Sequence, residues 1–146
     1  MPWTADQRQR LAKEKSTLEK YFPGKVVWLD PTENTMIEIT MITNNERTYV
    51  LRVYIPPDYP NSLPIMVVRD SPEPMPNWIS GRMTHSFGQN EDGHLVICHY
   101  RRDRWSPDRT LSDIVVKGRI WLEAYEAHLV TGEQMEYYLR AMQGLK

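Results

Sequence analysis

The sequence predicts an α+β domain in which helices cover one face of an antiparallel sheet, and three observations carry that prediction. Runs of β-favouring residues follow one another with only short turns between them, which allows hairpins and excludes the crossovers a parallel sheet needs. A polar helix pattern precedes these runs, and two apolar-striped helix patterns follow them. At 146 residues, with 40% hydrophobic and 25% charged residues, the chain has the size and composition of one globular domain, read here as residues 1–146.

The elements follow in order. Thr4, with Gln7 three residues on, forms a capping-box pattern that opens a helix running from about Ala5 to Phe22. Its sparse apolar points (Leu11, Leu18, Phe22) sit among Arg8, Arg10, Lys13, Glu14 and Lys15, as on a surface helix with one narrow buried stripe. Pro23-Gly24 ends it. Val26 to Leu29 is a strand closed by Asp30-Pro31, and Thr35 to Ile42 is a second whose more apolar face is Ile37, Ile39 and Met41. Asn44-Asn45-Glu46 makes the turn into Thr48 to Ile55, with Tyr49, Leu51, Val53 and Ile55 on one face. After a proline-rich bend, Ile65 to Val68 is the fourth strand of a meander.

From Asp70 to about Asp92 the prolines and glycines predict a long loop, pinned by Met75, Trp78, Ile79, Met83 and Phe87. A short β-like run, His94 to His99, comes next. Thr110 with Asp113 opens the clearest helix, with Leu111, Ile114, Val115, Gly118, Trp121, Leu122 and Tyr125 on one face. Gly118 on that stripe predicts close packing on the sheet. A last helix is expected to start at Thr131, boxed by Gln134, with Met135, Tyr138, Leu139 and Met142 on its buried side.

Charge and composition exclude several classes of function. The formal net charge is −1, so no global basic field calls for a nucleic acid or a membrane surface. No apolar run approaches the ~20 residues of a membrane span, and Met1-Pro2-Trp3-Thr4 shows no signal-peptide pattern. The single cysteine rules out an internal disulfide and fits a reducing compartment. The expected location is the cytoplasm.

That cysteine, Cys98, has the most informative surroundings in the chain. It closes Gly93-His94-Leu95-Val96-Ile97-Cys98, and Trp105-Ser106-Pro107 and then Thr110-Leu111 follow. Upstream lies Ile55-Pro56-Pro57-Asp58-Tyr59-Pro60, with Leu63-Pro64 beyond. A strand end, a lone thiol, a Trp-Ser-Pro loop and a helix start can present a nucleophile in a shallow groove. The thiolate is the reactive form, and cations lower the thiol pKa from about 8.5; His99, Arg101, Arg102 and Arg104 are the local candidates. The amide of Asn90 is a candidate oxyanion donor. His85, His94 and His99 are candidates for that role or for a base. The plainer alternatives stand beside these: a buried small hydrophobe for Cys98, polar loop residues for the histidines, a turn residue for Asn90, and a solvated face for the arginines. A zinc site built from Cys98, His99, His94 and His85 lacks paired-ligand spacing. A cysteine hydrolase needs an aligned Cys-His pair.

The proline-rich bend, the Gly-to-Cys98 segment and the Trp-Ser-Pro loop with its helix start resemble, in order and nearly in spacing, the core motifs of ubiquitin-conjugating enzymes. The resemblance covers about Ala5 to Tyr125. It implies a ubiquitin-conjugating-like fold: an N-terminal helix, a four-stranded antiparallel meander, a cysteine loop, a long crossing helix and here one C-terminal helix. It implies an enzyme, a cysteine-dependent transferase that accepts a protein C-terminus from an activating enzyme as a thioester on Cys98 and passes it to a lysine amine. No cofactor or metal is required. The basic residues Arg8, Arg10, Lys13 and Lys15 of the first helix correspond to those that meet the activating enzyme. Trp105 and Pro107 are carried over as partner-contact residues, with a packing anchor as the alternative for Trp105.

Departures from the family pattern are specific. His85-Ser86-Phe87 stands where His-Pro-Asn is normal, so Asn90, Gln89 or a histidine must stand in for its asparagine. The Gly93-to-Cys98 segment is longer than usual, Asn61 follows Tyr59-Pro60 where an aromatic residue is common, and the terminal helical pair is reduced to one helix. These features look more like the stand-alone prokaryotic relatives, some of which accompany cGAS-like nucleotidyltransferases in antiphage (CBASS) operons. The implied partners are therefore an activating enzyme, a ubiquitin-like or other donor protein (such a nucleotidyltransferase among them) and acceptor lysines. The alternative within the same resemblance is a non-catalytic variant that binds a donor protein without reacting.

Overall fold

The structure, a computed structural model, describes residues 3–31, 34–76, 85–97 and 104–143. In chain order it contains α1 (Ala5–Tyr21), β1 (Val26–Leu29), β2 (Met36–Ile42), β3 (Thr48–Tyr54), β4 (Ile65–Asp70), β5 (Ser86–Gln89), β6 (Leu95–Ile97), α2 (Leu111–Thr131) and α3 (Met135–Gln143). The strands form one antiparallel sheet of order β1-β2-β3-β4-β6-β5. The protein is thus α+β, with an N-terminal helix, a six-stranded sheet and two later helices among the described residues.

Period-two patterning decides which sheet face is covered. Ile37, Ile39 and Met41 of β2, Tyr49, Leu51 and Val53 of β3, and Met66 and Val68 of β4 are all buried in one cluster. Leu11 and Leu18 of α1 and Leu111, Ile114, Val115, Trp121 and Leu122 of α2 join the same cluster, so both helices lie on that face. Val67 is also fully buried, but on the opposite face, in a cross-strand row with Arg52 and Val96. Gly118 is required where α2 crosses the sheet. A Cβ there would stand 2.6 Å from Met66 Sδ and 2.7 Å from Leu51 Cδ1.

Local chemistry starts and stops the helices as the sequence indicates. Thr4 and Gln7 form the predicted capping box of α1, and Thr110 and Asp113 form one at α2. Gln7 serves twice, since its Nε2 also donates to the carbonyls of Pro57 and Tyr59 at 2.8 and 3.0 Å. The hydroxyl of Thr35 accepts from buried Trp3 Nε1 at 2.8 Å, which ties the chain ahead of α1 to the start of β2.

Two expectations are corrected. The sheet has six strands rather than a four-stranded meander with one short addition. Residues 86–89, expected within a loop, form the edge strand β5, and β6 returns between β5 and β4. The last helix does not begin at Thr131. Thr131 completes α2, Gly132 caps it in the left-handed conformation (φ 78°), and α3 starts at Met135. A left-handed glycine is a strong stop for the preceding helix, and it outcompetes the Thr131-to-Gln134 pattern as a start. Met135 and Leu139 are buried as expected and Tyr138 is half-buried. Trp78, Ile79, Met83 and the side chain of Met142 lie outside the described residues. Among the described residues, no helix is long and apolar enough to cross a membrane.

Candidate functional site

The proline-rich bend and the Trp-Ser-Pro loop, far apart in sequence, are stitched together. Trp105 Nε1 donates to the carbonyl of Pro60 at 2.9 Å, and its ring meets that of Tyr59 at 6.4 Å between centroids, tilted by 38°. The Tyr59-Pro60 peptide is cis. Trp105 is therefore an anchor for its loop, the packing role left open by the sequence.

Beneath this junction lies a carboxylate that sequence reasoning missed. Glu14 of α1 is only 6% exposed. One of its oxygens accepts from the Tyr59 hydroxyl at 2.6 Å and from Arg10 Nε at 3.1 Å; the other accepts from the backbone N–H of Leu111 at 2.6 Å. Leu111 is the first residue of α2, whose leading N–H groups have no partner inside the helix and carry partial positive charge. A buried carboxylate aimed there satisfies one of these groups and the charge together. Burial, and then the adjacent Glu14 charge, pushes the Tyr59 phenol well above its usual range, so it stays a donor. The signal was present in the sequence: Leu11, Glu14 and Leu18 share one helical stripe, so Glu14 is a charge where burial is expected.

The expected partner-binding set on α1 divides. Arg10 is committed internally: besides Glu14 it donates to the carbonyls of Pro107 (2.5 Å) and Arg109, and its guanidinium lies 5.4 Å from the Tyr59 ring centroid. Arg8 donates to the Trp3 carbonyl at 2.8 Å while remaining exposed. Lys13 and Lys15 are exposed. A groove of about 690 Å³ runs between Asp6, Lys13 and Thr17 of α1 and Asp108, Thr110 and Ser112 at the start of α2. Pro107 is exposed and meets Arg10 through its carbonyl.

At the other side of the sheet, β6 ends at Ile97, whose strand partner is Ser86. His85, just before Ser86, has φ 51° and holds Trp121 Nε1 on its carbonyl at 3.0 Å. Its Nε2 is buried without a hydrogen-bond partner among the described residues. Burial lowers its pKa, with Glu136 opposing from a distance, so the imidazole is neutral near pH 7.

Asn90 lies at the opposite end of β5. Its side-chain oxygen accepts from the N–H groups of Asp92 (3.0 Å) and His94 (2.9 Å), and its own N–H donates to the His94 carbonyl. It is the organising residue of the β5–β6 turn. The four residues of β5 lie between it and His85, so the two sit at opposite ends of that strand.

Cys98, His99, Arg101 and Arg102 lie outside the described residues, and Arg104 is exposed. Among the described residues, no group of three or more His, Cys, Asp or Glu side chains is placed to hold a metal ion. The chain matches no protein-family model, and no curated protein matches it significantly.

Proposed function

We propose that the chain is a ubiquitin-conjugating-like transferase, on a fold of that family, with Cys98 as its nucleophile. The observation that carries the reading is the Trp105–Pro60 hydrogen bond, because it joins two of the three motifs that bracket Cys98 in sequence. In the first step the Cys98 thiolate attacks the thioester carbonyl of a donor C-terminus held by an activating enzyme. A new C–S bond forms and the activating enzyme's thiolate leaves. In the second, a lysine amine attacks the Cys98 thioester, an amide forms, the thiolate leaves and the amine proton passes to a base. A neutral imidazole such as His85 has the protonation state that base needs near pH 7. The donor is a ubiquitin-like protein or a cGAS-like nucleotidyltransferase within an antiphage (CBASS) system.

The test is Cys98→Lys with activating enzyme, ATP and donor protein. The expected result is a stable isopeptide adduct on the new lysine, and a reductant-sensitive adduct on the unaltered protein. Absence of both overturns the reading. One observation favours a second reading, a non-catalytic module that binds the donor: the oxygen of Asn90, one of the residues expected to stand in for the missing His-Pro-Asn asparagine, is committed to a turn. Alkylation of Cys98 separates the two. Fast, pH-sensitive labelling below about pH 8 favours the transferase; protection of the kind seen at a buried thiol favours the module.

A further inference from the structure

β1 is an edge of the sheet, and its phase leaves a defined set of main-chain groups open. Thr40 N–H donates to the Lys25 carbonyl at 3.0 Å. With Val26 opposite Ile39 and Val27 opposite Glu38, the residues whose main chain faces β2 are Lys25, Val27 and Leu29. Alternation then turns the N–H and C=O of Val26 and Trp28 away from the sheet. Among the described residues, neither has a main-chain partner on that side.

The strand reads Val-Val-Trp-Leu, with no proline, charge or bulge inside it, the devices by which edges are usually kept from pairing. Val27 is 55% exposed. Lys25 precedes the strand and Asp30 follows it, so an antiparallel second strand of the same sequence brings its acidic end beside the basic end of the first, at both ends of the pair.

We propose that β1 is a self-pairing edge, and that two copies of this chain associate through it about a two-fold axis. Only registers that set outward-facing residues opposite each other can bond. The register that uses both Val26 and Trp28 pairs Val26 with the second copy's Trp28, and the reverse, through about four N–H···O=C bonds. It places Val27 against Val27 on the axis, as a pair without main-chain hydrogen bonds. Such a contact is isologous and closes on itself, giving a dimer rather than a fibre. The strand is short, so the association is weak and transient. It would extend the sheet continuously through two copies and leave the other edge, β5 beside β6, untouched. The inference is independent of the transferase reading and requires no chemistry at Cys98.

The experiment uses the full chain carrying Cys98→Ser, so that no native thiol interferes. Sedimentation equilibrium from low micromolar to millimolar protein should show a concentration-dependent rise toward twice the monomer mass. Val27→Lys places like charges together on the axis and should abolish that rise. In a second arm, Val27→Cys should give a covalent dimer under mild oxidation, because Cα atoms of a non-hydrogen-bonded antiparallel pair stand about 4.5 Å apart, within disulfide range. Val130→Cys, at an 82% exposed position on α2, should cross-link several-fold more slowly. Monomer mass at every concentration overturns the proposal. So does association that Val27→Lys leaves intact, or cross-linking at Val27→Cys no faster than at Val130→Cys. The cross-linking arm decides the matter should Val27→Lys fail to fold.

Discussion

Replacing Glu14 by alanine tests the junction that holds α1, the proline-rich bend and α2 together. The carboxylate serves two buried donors, the Tyr59 hydroxyl and the Leu111 N–H, and one half-buried cation, Arg10. Removing it strands both buried donors, and each buried group left without its partner costs about 1–3 kcal/mol. Arg10 keeps the carbonyls of Pro107 and Arg109 and adds little. Alanine returns a few tenths of a kcal/mol in helix propensity. The expected loss is about 3–4 kcal/mol, a large share of the roughly 5–15 kcal/mol that holds such a domain folded. Glu14→Gln keeps an oxygen for Leu111 but turns an amide donor toward Arg10 Nε, so it should cost about 1–2 kcal/mol. Urea denaturation with unchanged m-values reads these differences directly. A double-mutant cycle with Tyr59→Phe then isolates the Glu14–Tyr59 pair, with an expected coupling of about 1 kcal/mol or more. The reasoning is refuted if Glu14→Ala costs under about 1 kcal/mol, or if Tyr59→Phe costs the same with and without the carboxylate.

Further outcomes follow from the same structure. Burial depresses the His85 pKa in the folded state, so the unfolded chain binds the proton more readily. Stability from this group is complete above about pH 6.5 and falls as pH drops from there toward the folded value. His85→Gln should therefore flatten the pH dependence of the unfolding midpoint below about pH 6.5 relative to the parent protein; parallel curves would contradict this. Gly118→Ala gains about 1 kcal/mol of helix propensity. It also drives a methyl to 2.6 Å from Met66 Sδ and 2.7 Å from Leu51 Cδ1, an overpacking cost of about 1–3 kcal/mol. A lowered urea midpoint is expected, and an unchanged or raised one would show that Met66 and Leu51 yield freely.

Where the sequence was legible, the reason is local chemistry acting in agreement with burial. Both capping boxes, the apolar faces of β2 and β3 and the stripe on α2, with Gly118 standing on it, were all readable because each pattern is carried by residues within a turn or two of one another. β5 was not, because it is an edge strand with Phe87 exposed and a glycine after it, so it shows neither alternation nor a β-rich run. The start of α3 was misplaced because a cap pattern and a helix stop overlapped, and the conformation of Gly132 decides between them. Among candidate site residues, the turn role of Asn90 was among the readings the sequence offered, since its partners Asp92 and His94 are two and four residues away, whereas the internal commitment of Arg10 depends on partners that the topology supplies. Pro107 and Arg109 lie far from Arg10 in sequence and reach it only through the packing of α1 against the start of α2.

The two tight turns of the sheet have different tolerances for engineering. At the β2–β3 turn, Asn45 Nδ2 and the Tyr49 hydroxyl both donate to the buried carboxylate of Glu126, and the Asn44 N–H donates to Glu123. That turn is clamped to α2 at Arg119, Glu123 and Glu126, spaced about one helical turn apart, so an inserted tag or a proteolytic nick there would pull on the central helix. Among the described residues, the β5–β6 turn is organised by its own Asn90, with Glu91, Asp92 and Gly93 exposed. A reporter label or a grafted peptide belongs at Glu91-Asp92, where the chain can be opened without loosening its scaffold.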